Sequence, residues 1–393
     1  MSKKSEGEGA CAWILVEPGQ SEVRVWGVAL PERLHRTLLT LGFSADRISR
    51  ESLFEERTQS RVRLIFRSDY VFDERLVRAL ATSEATALIA PDKKEVVAVH
   101  VAGQRVAEAL QLFSSERWLE RVAQEAGVRL VSPNVLVPAY TAALRKADPP
   151  YLFAVQPENI GVIENYLFQA SYKGITDLVT KWVWPLPARA VTRCLARAGI
   201  RPNVVTVVSW LLVIIAAWLF TAGWFGLGLL AAWGMTFLDT VDGKLARVTL
   251  TASRVGHVLD HGLDLLHPPF WYLAWAMGLP AQAAWLAPAT LITVGGYVIG
   301  RLLEGIFLLI FKMEIHSWRP IDSAFRTITA RRNPNLLLLT AGTLAGRPDI
   351  GLILVALWTA CSIGFHSVRL MQALAQRWRG LPVKTWQESG TFA

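Results

Sequence analysis

Asp239-Thr-Val-Asp242-Gly-Lys-Leu-Ala-Arg247, followed after eight further residues by Gly256 and then by Asp260 and Asp264, decides how the second half of the chain folds. Asp239 and Asp242 are three positions apart, and Asp260 and Asp264 are four apart, so each pair lies on one face of its own helix. An apolar run precedes the first pair and another follows the second. We therefore predict two helices whose polar ends meet, with their carboxylates converging on one site.

Carboxylates this close together repel one another unless a cation lies between them. Oxygen-only ligands favour hard divalent ions such as Mg²⁺, Mn²⁺ or Ca²⁺ over Zn²⁺. Such ions can bridge nucleotide phosphates and offset the charge that develops in phosphoryl transfer. Gly243 and Ala246 leave room beside the helix backbone, and Arg247 offers a planar charged fork for phosphate. The motif therefore predicts a metal-dependent site for a phosphorylated substrate.

Charge divides the chain into two parts. The 393 residues carry a net charge of +9 and are 52% hydrophobic. Residues 1–150 carry 21 Lys+Arg against 20 Asp+Glu, whereas residues 151–393 carry 20 against 12, so +8 of the +9 belongs to the second part. There the basic residues flank long apolar runs, which favours anionic lipid head groups over nucleic acid as the partner. The first part is typical of a soluble domain.

The cysteines and the N-terminus indicate a cytosolic location for the first part. Cys11, Cys194 and Cys361 are far apart and lack metal-type spacing, so we expect neither a disulfide framework nor a cysteine metal site. The first residues are polar and no apolar segment follows them, so we expect no cleavable signal peptide.

Residues 1–150 alternate short β-rich runs with amphipathic segments, a pattern typical of an α/β domain. We predict strands at 12–16, 23–28, 62–66, 86–89 and 96–101, and helices at 31–41, 73–81, 104–113 and 116–126. Prolines near residue 150 predict a linker, which we extend over residues 151–200. Arg189, Arg193 and Arg197 share one helical face after Trp182 and Trp184, and this combination predicts an amphipathic helix in the membrane interface.

Residues 201–393 contain apolar runs that predict an all-α domain of six transmembrane helices. We place the spans at 204–220, 224–246, 256–278, 283–311, 335–346 and 350–374, and the fifth is shorter than the ~20 residues a bilayer core requires. One set of connectors is basic, with Arg201, Lys244, Arg247, Arg254, Lys312, Arg319, Arg326, Arg331, Arg332, Arg377, Arg379 and Lys384, whereas the opposite set holds Arg347. The positive-inside rule places the basic connectors and both termini in the cytosol, on the inner membrane.

The motif from Asp239 to Asp264 resembles the signature of the CDP-alcohol phosphatidyltransferases, with all eight signature residues at the expected spacing. The resemblance covers about residues 201–377 and includes Pro202-Asn-Val-Val-Thr206 at the entry to the first span. It implies that Asp239, Asp242 and Asp260 hold Mg²⁺ or Mn²⁺, with Asp264 nearby. It also implies that Asp264 is the general base that deprotonates the acceptor hydroxyl.

The same resemblance implies where the nucleotide binds. Gly243, Ala246 and Gly256 would form the CDP pocket, Arg247 would contact phosphate, and Thr206 would touch the nucleotide. The reaction would release CMP, and the family implies a homodimer. The donor stays open between CDP-diacylglycerol and a soluble CDP-alcohol such as CDP-inositol, and the acceptor is an alcohol or a polyol phosphate.

The first part resembles a second family. Arg67-Ser-Asp69-Tyr-Val-Phe-Asp73 follows a strand and looks like the Asp-containing turn of nucleotidyltransferases. The layout is similar to fusions that make di-inositol phosphates, in which such a domain makes the CDP-alcohol donor. The Gly-rich loop expected after the first strand is missing, because Val25-Trp-Gly27-Val-Ala-Leu-Pro31-Glu-Arg33 has one glycine. We therefore expect a catalytically inactive nucleotidyltransferase-like domain, with a plain α/β docking domain as the alternative.

Other interpretations of the second part stay open. A multi-pass cation transporter or a non-catalytic scaffold is the alternative function, although transporter carboxylates usually lie near mid-bilayer. His257, His261 and His267 favour packing or orienting roles, since at most one lies on the carboxylate face. Arg301 and Glu304 form either a structural pair or an acceptor contact. The basic loop 326–333 binds an acceptor phosphate or lipid head groups, or only sets topology.

Overall fold

The computed structural model describes residues 11–16, 22–49, 62–91, 95–101, 105–113, 119–141, 146–252, 254–281 and 283–387. The chain divides into two compact units. The first comprises Met1–Thr141, Ala147–Ala170 and Val248–Leu250, and the second comprises Ala142–Lys146, Ser171–Arg247 and Thr251–Ala393.

The first unit is an α/β domain, as predicted. Its strands are β1 (Cys11–Val16), β2 (Arg24–Val25), β3 (Val28–Ala29), β4 (Ser44–Ser49), β5 (Val62–Arg67), β6 (Tyr70–Phe72), β7 (Thr86–Ile89), β8 (Val96–His100), β9 (Arg129–Val131), β10 (Tyr140–Thr141), β11 (Lys146–Ala147) and β12 (Leu152–Ala154). Its helices are α1 (Leu30–Thr40), α2 (Glu74–Thr82), α3 (Val106–Gln111), α4 (Leu119–Ala126), α5 (Pro133–Leu136) and α6 (Ile160–Ala170).

A six-stranded mixed sheet of order β4-β1-β5-β8-β7-β9 forms the centre of this unit. β1 runs parallel to β4 and β5, β7 runs parallel to β9, and β8 is antiparallel to both of its neighbours. Side chains alternate between the faces of a strand. Trp13 and Ile65 therefore belong to one apolar cluster, whereas Ile14 and Leu64 belong to the other. Both faces of the sheet are covered, as the near-continuous apolar strands predict.

Most predicted elements of the first unit are confirmed, but the strand predicted at 23–28 is wrong. This segment is the β2–β3 hairpin, in which Val25 pairs with Val28. Trp26 and Gly27 occupy the turn with φ of 53° and 72°. Positive φ at both central residues is the geometry of a tight hairpin turn, and a continuous valine-rich run conceals it.

Residues up to Ala170 of the linker predicted at 151–200 group with the first unit in this structure. β12 pairs with β6, where Phe153 lies opposite Val71. On α6, Glu164 accepts a hydrogen bond from the backbone N–H of Trp26 at 2.8 Å, and its carbonyl accepts from the Trp26 indole at 3.0 Å. The Trp26 ring also stacks on Phe168, with centroids 5.7 Å apart. These contacts close α6 onto the hairpin.

The second unit is helical, and a helix occupies each predicted span. Its helices are α7 (Pro185–Arg197), α8 (Pro202–Thr221), α9 (Phe225–Val248, whose last residue groups with the first unit), α10 (Arg254–Met277), α11 (Leu286–Phe311), α12 (Pro320–Arg326), α13 (Arg332–Leu344) and α14 (Pro348–Trp378). A π-helix at Val179–Val183 precedes α7, and a 3₁₀ helix lies at Ile315–Ser317.

Among the helices that the structure describes, α8, α11 and α14 are long and apolar enough to cross a membrane, with mean hydropathies of 2.4, 1.8 and 1.7. α13 has 13 residues, which span only about 20 Å. Six spans therefore remain a prediction. The helix predicted from Arg189 to Arg197 is present as α7. Trp182 and Leu186 beside it are 64% and 73% exposed, as an interfacial segment requires, although its depth in a membrane stays a prediction.

The contact of Trp26 with α6 makes a testable prediction for the full-length protein. Trp26→Ala removes a fully buried ring, a change that typically costs about 3–5 kcal/mol. We expect hydrogen–deuterium exchange of Ile160–Ala170 to become at least about a hundredfold faster. Val162→Ala is the matched control, because Val162 lies on the same helix and is 68% exposed. Unchanged protection in Trp26→Ala would contradict the assignment of α6 to the first unit.

Candidate active site on α8, α9 and α13

An apolar layer holds the helices of the candidate site together. Val213 of α8, Met235 of α9 and Trp275 of α10 belong to one buried cluster. The indole of Trp271 donates to the carbonyl of Val213 at 3.0 Å, which fixes α10 against α8. Toward its C-terminal end, α9 changes from apolar to polar at Asp239. The site residues therefore lie on the last turns of a helix whose preceding part is packed in this layer.

Asp242 is buried and hydrogen-bonded. The residue is 4% exposed, and its Oδ2 accepts a hydrogen bond from the hydroxyl of Thr206 at 2.6 Å. Thr206 is equally buried on α8. A hydrogen bond to an ionised acceptor is short and roughly twice as strong as a neutral one. Thr206 therefore orients Asp242, and its predicted contact with a nucleotide stays a prediction.

Asp239 forms an ion pair with Arg332. The Oδ2 of Asp239 lies 2.5 Å from Nη2 of Arg332, and their side chains are 9% and 17% exposed. The sequence placed Arg332 only in a basic loop. No local pattern could have found the pair, because the two residues are 93 positions apart.

The second carboxylate pair lies on the predicted helix. α10 begins at Arg254 and continues through Asp260 and Asp264, which confirms that they are one helical turn apart. The side chains of both aspartates, and those of His257 and His261, lie outside the described residues. Whether all the aspartates converge therefore remains a prediction.

The residues predicted for nucleotide binding lie on the same helices. Gly243, Ala246 and Gly256 are half-buried and Arg247 is exposed. Nη1 of Arg247 donates to the carbonyl of Ser171 at 3.2 Å. His267 is 2% exposed and packs its ring on Trp271, with centroids 4.6 Å apart, which agrees with a packing role.

Lys244 is a structural residue that the sequence places among the basic connectors. It is 4% exposed, and its Nζ donates to the carbonyl of Ser171 at 3.0 Å. The same ammonium lies 3.3 Å from the ring centroid of Tyr172, a close cation–π contact. Lys244 and Arg247 together fix the segment at Ser171 to the last turns of α9.

Asp177 anchors the beginning of α13. Its Oδ1 accepts from Asn333 at 2.9 Å and from the N–H groups of Val179 and Thr180 at 3.1 and 3.0 Å. Burial alone would raise the pKa of Asp177, but the charge of Arg326 and hydrogen bonds from Thr180 and Asn333 hold that pKa below its ordinary value. Because Asn333 is adjacent to Arg332, this anchor also fixes the position of Arg332, which is the partner of Asp239.

A second polar cluster surrounds Glu304 of α11. Arg301 donates to Glu304 at 2.7 Å, which confirms the pair predicted from their spacing, and Arg331 and His316 contact the same carboxylate. His366 completes the cluster, and a cavity of about 20 Å³, room for about one water, lies between it, Glu304 and Arg301.

This cluster carries a net positive charge, although it contains residue types that can bind a metal ion. One ligand atom from each of Glu304, His316 and His366 lies within 4.8 Å of the others, which is compatible with a metal ion. Two guanidinium groups already compensate the one carboxylate, however, so a divalent ion would add to a positive cluster. Burial lowers the pKa of His316 well below its ordinary value against the opposing effect of Glu304, so this imidazole is neutral at physiological pH.

The first unit contains a candidate site of its own at the turn after β5. Arg67 forms a two-bond ion pair with Asp69, at 2.6 and 3.0 Å, and a further ion pair with Glu95 at 2.6 Å. The hydroxyl of Tyr70 donates to the other oxygen of Glu95 at 2.5 Å. The carboxylate predicted to resemble a nucleotidyltransferase aspartate is thus neutralised by its own neighbour.

Comparison with known proteins gives matches for both units. The family model for CDP-alcohol phosphatidyltransferase matches residues 200–330. The chain is 26% identical over 314 residues to a Bifunctional IPC transferase and DIPP synthase of Rubrobacter xylanophilus, covering 72% of this chain and 69% of that protein. It is 36% identical over 81 residues to an Archaetidylinositol phosphate synthase of Pyrococcus horikoshii, covering 20% of this chain and 43% of that protein.

The first of these similarities extends into the N-terminal unit, because residues 201–393 make up only about half of the chain. The second is local and spans less than half of the archaeal protein. The family match includes the whole motif from Asp239 to Asp264 and confirms the resemblance predicted from it. Residues 200–330 match the CDP-alcohol phosphatidyltransferase family, whose members use CDP-alcohol donors and alcohol acceptors, and this match together with the two relatives supports membrane phosphotransferase activity for the chain.

Proposed function

We propose that this enzyme transfers a phosphoalcohol group from its CDP-linked donor to an acceptor hydroxyl at Asp239, Asp242, Asp260 and Asp264, with release of CMP. The observation that carries the proposal is that neighbouring side chains hold both carboxylates of the first pair, Asp239 and Asp242, in place. Asp239 and Asp242 lie on one face of α9, Asp242 buried and the Asp239 side chain 9% exposed, and one is held by a guanidinium and the other by a hydroxyl. Such preorganisation is expected of a site that stabilises developing charge.

The residues present fit a divalent cation. The donor set is made of carboxylate oxygens, which favour Mg²⁺ or Mn²⁺. Arg332 supplies positive charge at Asp239 in this structure, so this largely buried carboxylate is one that a cation compensates. Asp239, Asp242 and Asp260 would hold the metal, with Asp264 nearby. When bound, the metal would neutralise the negative charge of the donor phosphates.

The proposed reaction is a single displacement. Asp264 accepts the proton of the acceptor hydroxyl, and the oxygen attacks the phosphorus that carries the donor alcohol. The bond from that phosphorus to the bridging oxygen breaks, CMP leaves with this oxygen, and Asp264 returns its proton to water. Gly243, Ala246 and Gly256 bind the cytidine nucleotide with Arg247 on phosphate, and Thr206 holds Asp242.

We assign the acceptor to the cluster around Glu304. Arg331 contacts Glu304 and the next residue, Arg332, contacts Asp239. Consecutive Cα atoms are 3.8 Å apart, so the two clusters are neighbours. Two guanidinium groups around one carboxylate suit an acceptor rich in hydroxyl groups or bearing phosphate. The archaeal relative is an archaetidylinositol phosphate synthase, which supports a polyol-type substrate over a plain alcohol.

The location and assembly of the enzyme complete the proposal. We propose that both termini and the aspartates face the cytosol across the inner membrane, in a six-span topology, because the basic connectors lie on that side. The enzyme would act as a homodimer, as the family implies. The first unit would be an inactive nucleotidyltransferase-like domain, since the segment after its first strand lacks a Gly-rich loop.

The role of Asp264 is tested by CMP release. In Asp264→Asn the acceptor hydroxyl loses its base, and we expect kcat to fall by at least about a hundredfold. The assay uses purified protein with Mg²⁺ and a panel of donors that includes CDP-diacylglycerol and CDP-inositol, each with alcohol and polyol phosphate acceptors. Asp349→Asn is the matched control, because Asp349 pairs with Arg347 in an exposed connector. Full turnover in Asp264→Asn would disprove the base assignment, and ion flux without nucleotide dependence would favour a transporter.

The acceptor assignment is tested with Arg301→Gln. Loss of one charged hydrogen bond to a substrate costs about 1.5–3 kcal/mol, so we expect the acceptor KM to rise at least about tenfold with the donor KM unchanged. Arg347→Gln removes an arginine from an exposed pair and serves as the control. Equal changes in both KM values, with a lower unfolding temperature, would show that the cluster is only structural.

The inactivity of the first unit is tested on the full-length protein with CTP, inositol phosphate and Mg²⁺. Because Arg67 occupies both oxygens of Asp69, we expect no release of pyrophosphate. Asp69→Asn should leave both this result and CMP release unchanged within about twofold, as expected of a residue outside the transferase site. Pyrophosphate release by the wild type that is lost in Asp69→Asn would show an active nucleotidyltransferase.

A further inference from the structure

The ion pair between Arg332 and Asp239 occupies a position that the proposed metal also needs. Oδ2 of Asp239 is 2.5 Å from the guanidinium, and the Asp239 side chain is 9% exposed. A carboxylate oxygen this close to a guanidinium has one lone-pair direction committed to it. A divalent ion that takes the same oxygen must displace the guanidinium or share the carboxylate against charge repulsion.

Arg332 is presented to Asp239 by a fixed element. It is the first residue of α13, and Asn333 beside it donates to the buried Asp177 at 2.9 Å. Nη1 of Arg332 also lies 3.8 Å from Sδ of Met235, one helical turn before Asp239 on α9. The position of Arg332 is thus fixed by contacts on both sides, through Asn333 to Asp177 and directly to Met235 of α9.

We propose that Arg332 is the resident counter-cation of Asp239 and competes with the divalent ion, so that Arg332 sets the metal affinity of the enzyme. This inference rests on the proposed metal site. In the metal-free protein Arg332 compensates a buried negative charge, which would otherwise be destabilising. A bound metal would take over that role, and the charge of Arg332 would then be available beside the site to an anionic substrate.

The experiment measures Mn²⁺ binding by the full-length protein in detergent, without nucleotide, from the electron paramagnetic resonance of free Mn²⁺. Arg332→Gln removes the competing charge, and we expect its Mn²⁺ dissociation constant to be about tenfold lower than that of the wild type, a typical coupling between ligands that affect each other. Arg332→Lys keeps the competing positive charge, so its Mn²⁺ dissociation constant should stay within about threefold of the wild type. Arg347→Gln should bind as the wild type does.

Thermal unfolding gives an independent measurement. Without Mn²⁺, Arg332→Gln should unfold at a lower temperature than the wild type, because Asp239 has lost its partner. Saturating Mn²⁺ should raise the unfolding temperature of Arg332→Gln by more than that of the wild type, since tighter binding stabilises more. An equal or smaller rise would contradict the inference.

Asp239→Asn separates the inference from the function on which it rests. If Asp239→Asn leaves Mn²⁺ affinity unchanged, the proposed metal site is wrong, and the inference fails with it. If Asp239→Asn weakens Mn²⁺ binding but Arg332→Gln binds Mn²⁺ no more tightly than the wild type, the metal site stands and only the role of Arg332 is overturned.

Discussion

Buried carboxylates in an apolar helical unit need compensation, because an uncompensated charge there is strongly destabilising. In the second unit this compensation connects the helices. Asp322 is 1% exposed and bonds Arg369 of α14 through both oxygens, at 2.5 and 2.8 Å. Asp177 bonds Asn333, and Asp239 bonds Arg332. Each pair joins segments that are distant in sequence, so these buried charges also position the elements that carry them.

The residues at the beginning of α13 contact three of the carboxylates of this unit. Arg331, Arg332 and Asn333 are consecutive, and they contact Glu304, Asp239 and Asp177 respectively. A helical start with three such partners has little freedom to move without breaking a buried pair. The cluster around Glu304 and the pair Asp239/Asp242 are therefore held at a defined spacing, which is what the alignment of two substrates requires.

The sequence predicted what depends on local spacing. The pairs Asp239/Asp242 and Arg301/Glu304 follow from helical periodicity, and the apolar runs gave the positions of the helices. It could not predict Arg332 as the partner of Asp239, since 93 residues separate them and many arginines compete for the position. β4 was missed because Ser44–Ser49 lacks apolar alternation and pairs only at the sheet edge. The β2–β3 hairpin was missed because its turn uses Trp26, a residue that seldom adopts positive φ.

In the first unit, the residues that form the apolar core are different from those of the polar turn after β5. Its core uses residues inside strands, such as Ile14, Leu64 and Phe66, whose burial does not depend on any charge. Asp69 lies in the turn after β5, where loops usually carry function. An ion pair to Arg67 therefore changes the chemistry of the turn and leaves the apolar faces of the sheet intact. This independence means that a change of charge at the turn leaves both the α/β fold and the contact of α6 with the β2–β3 hairpin in place.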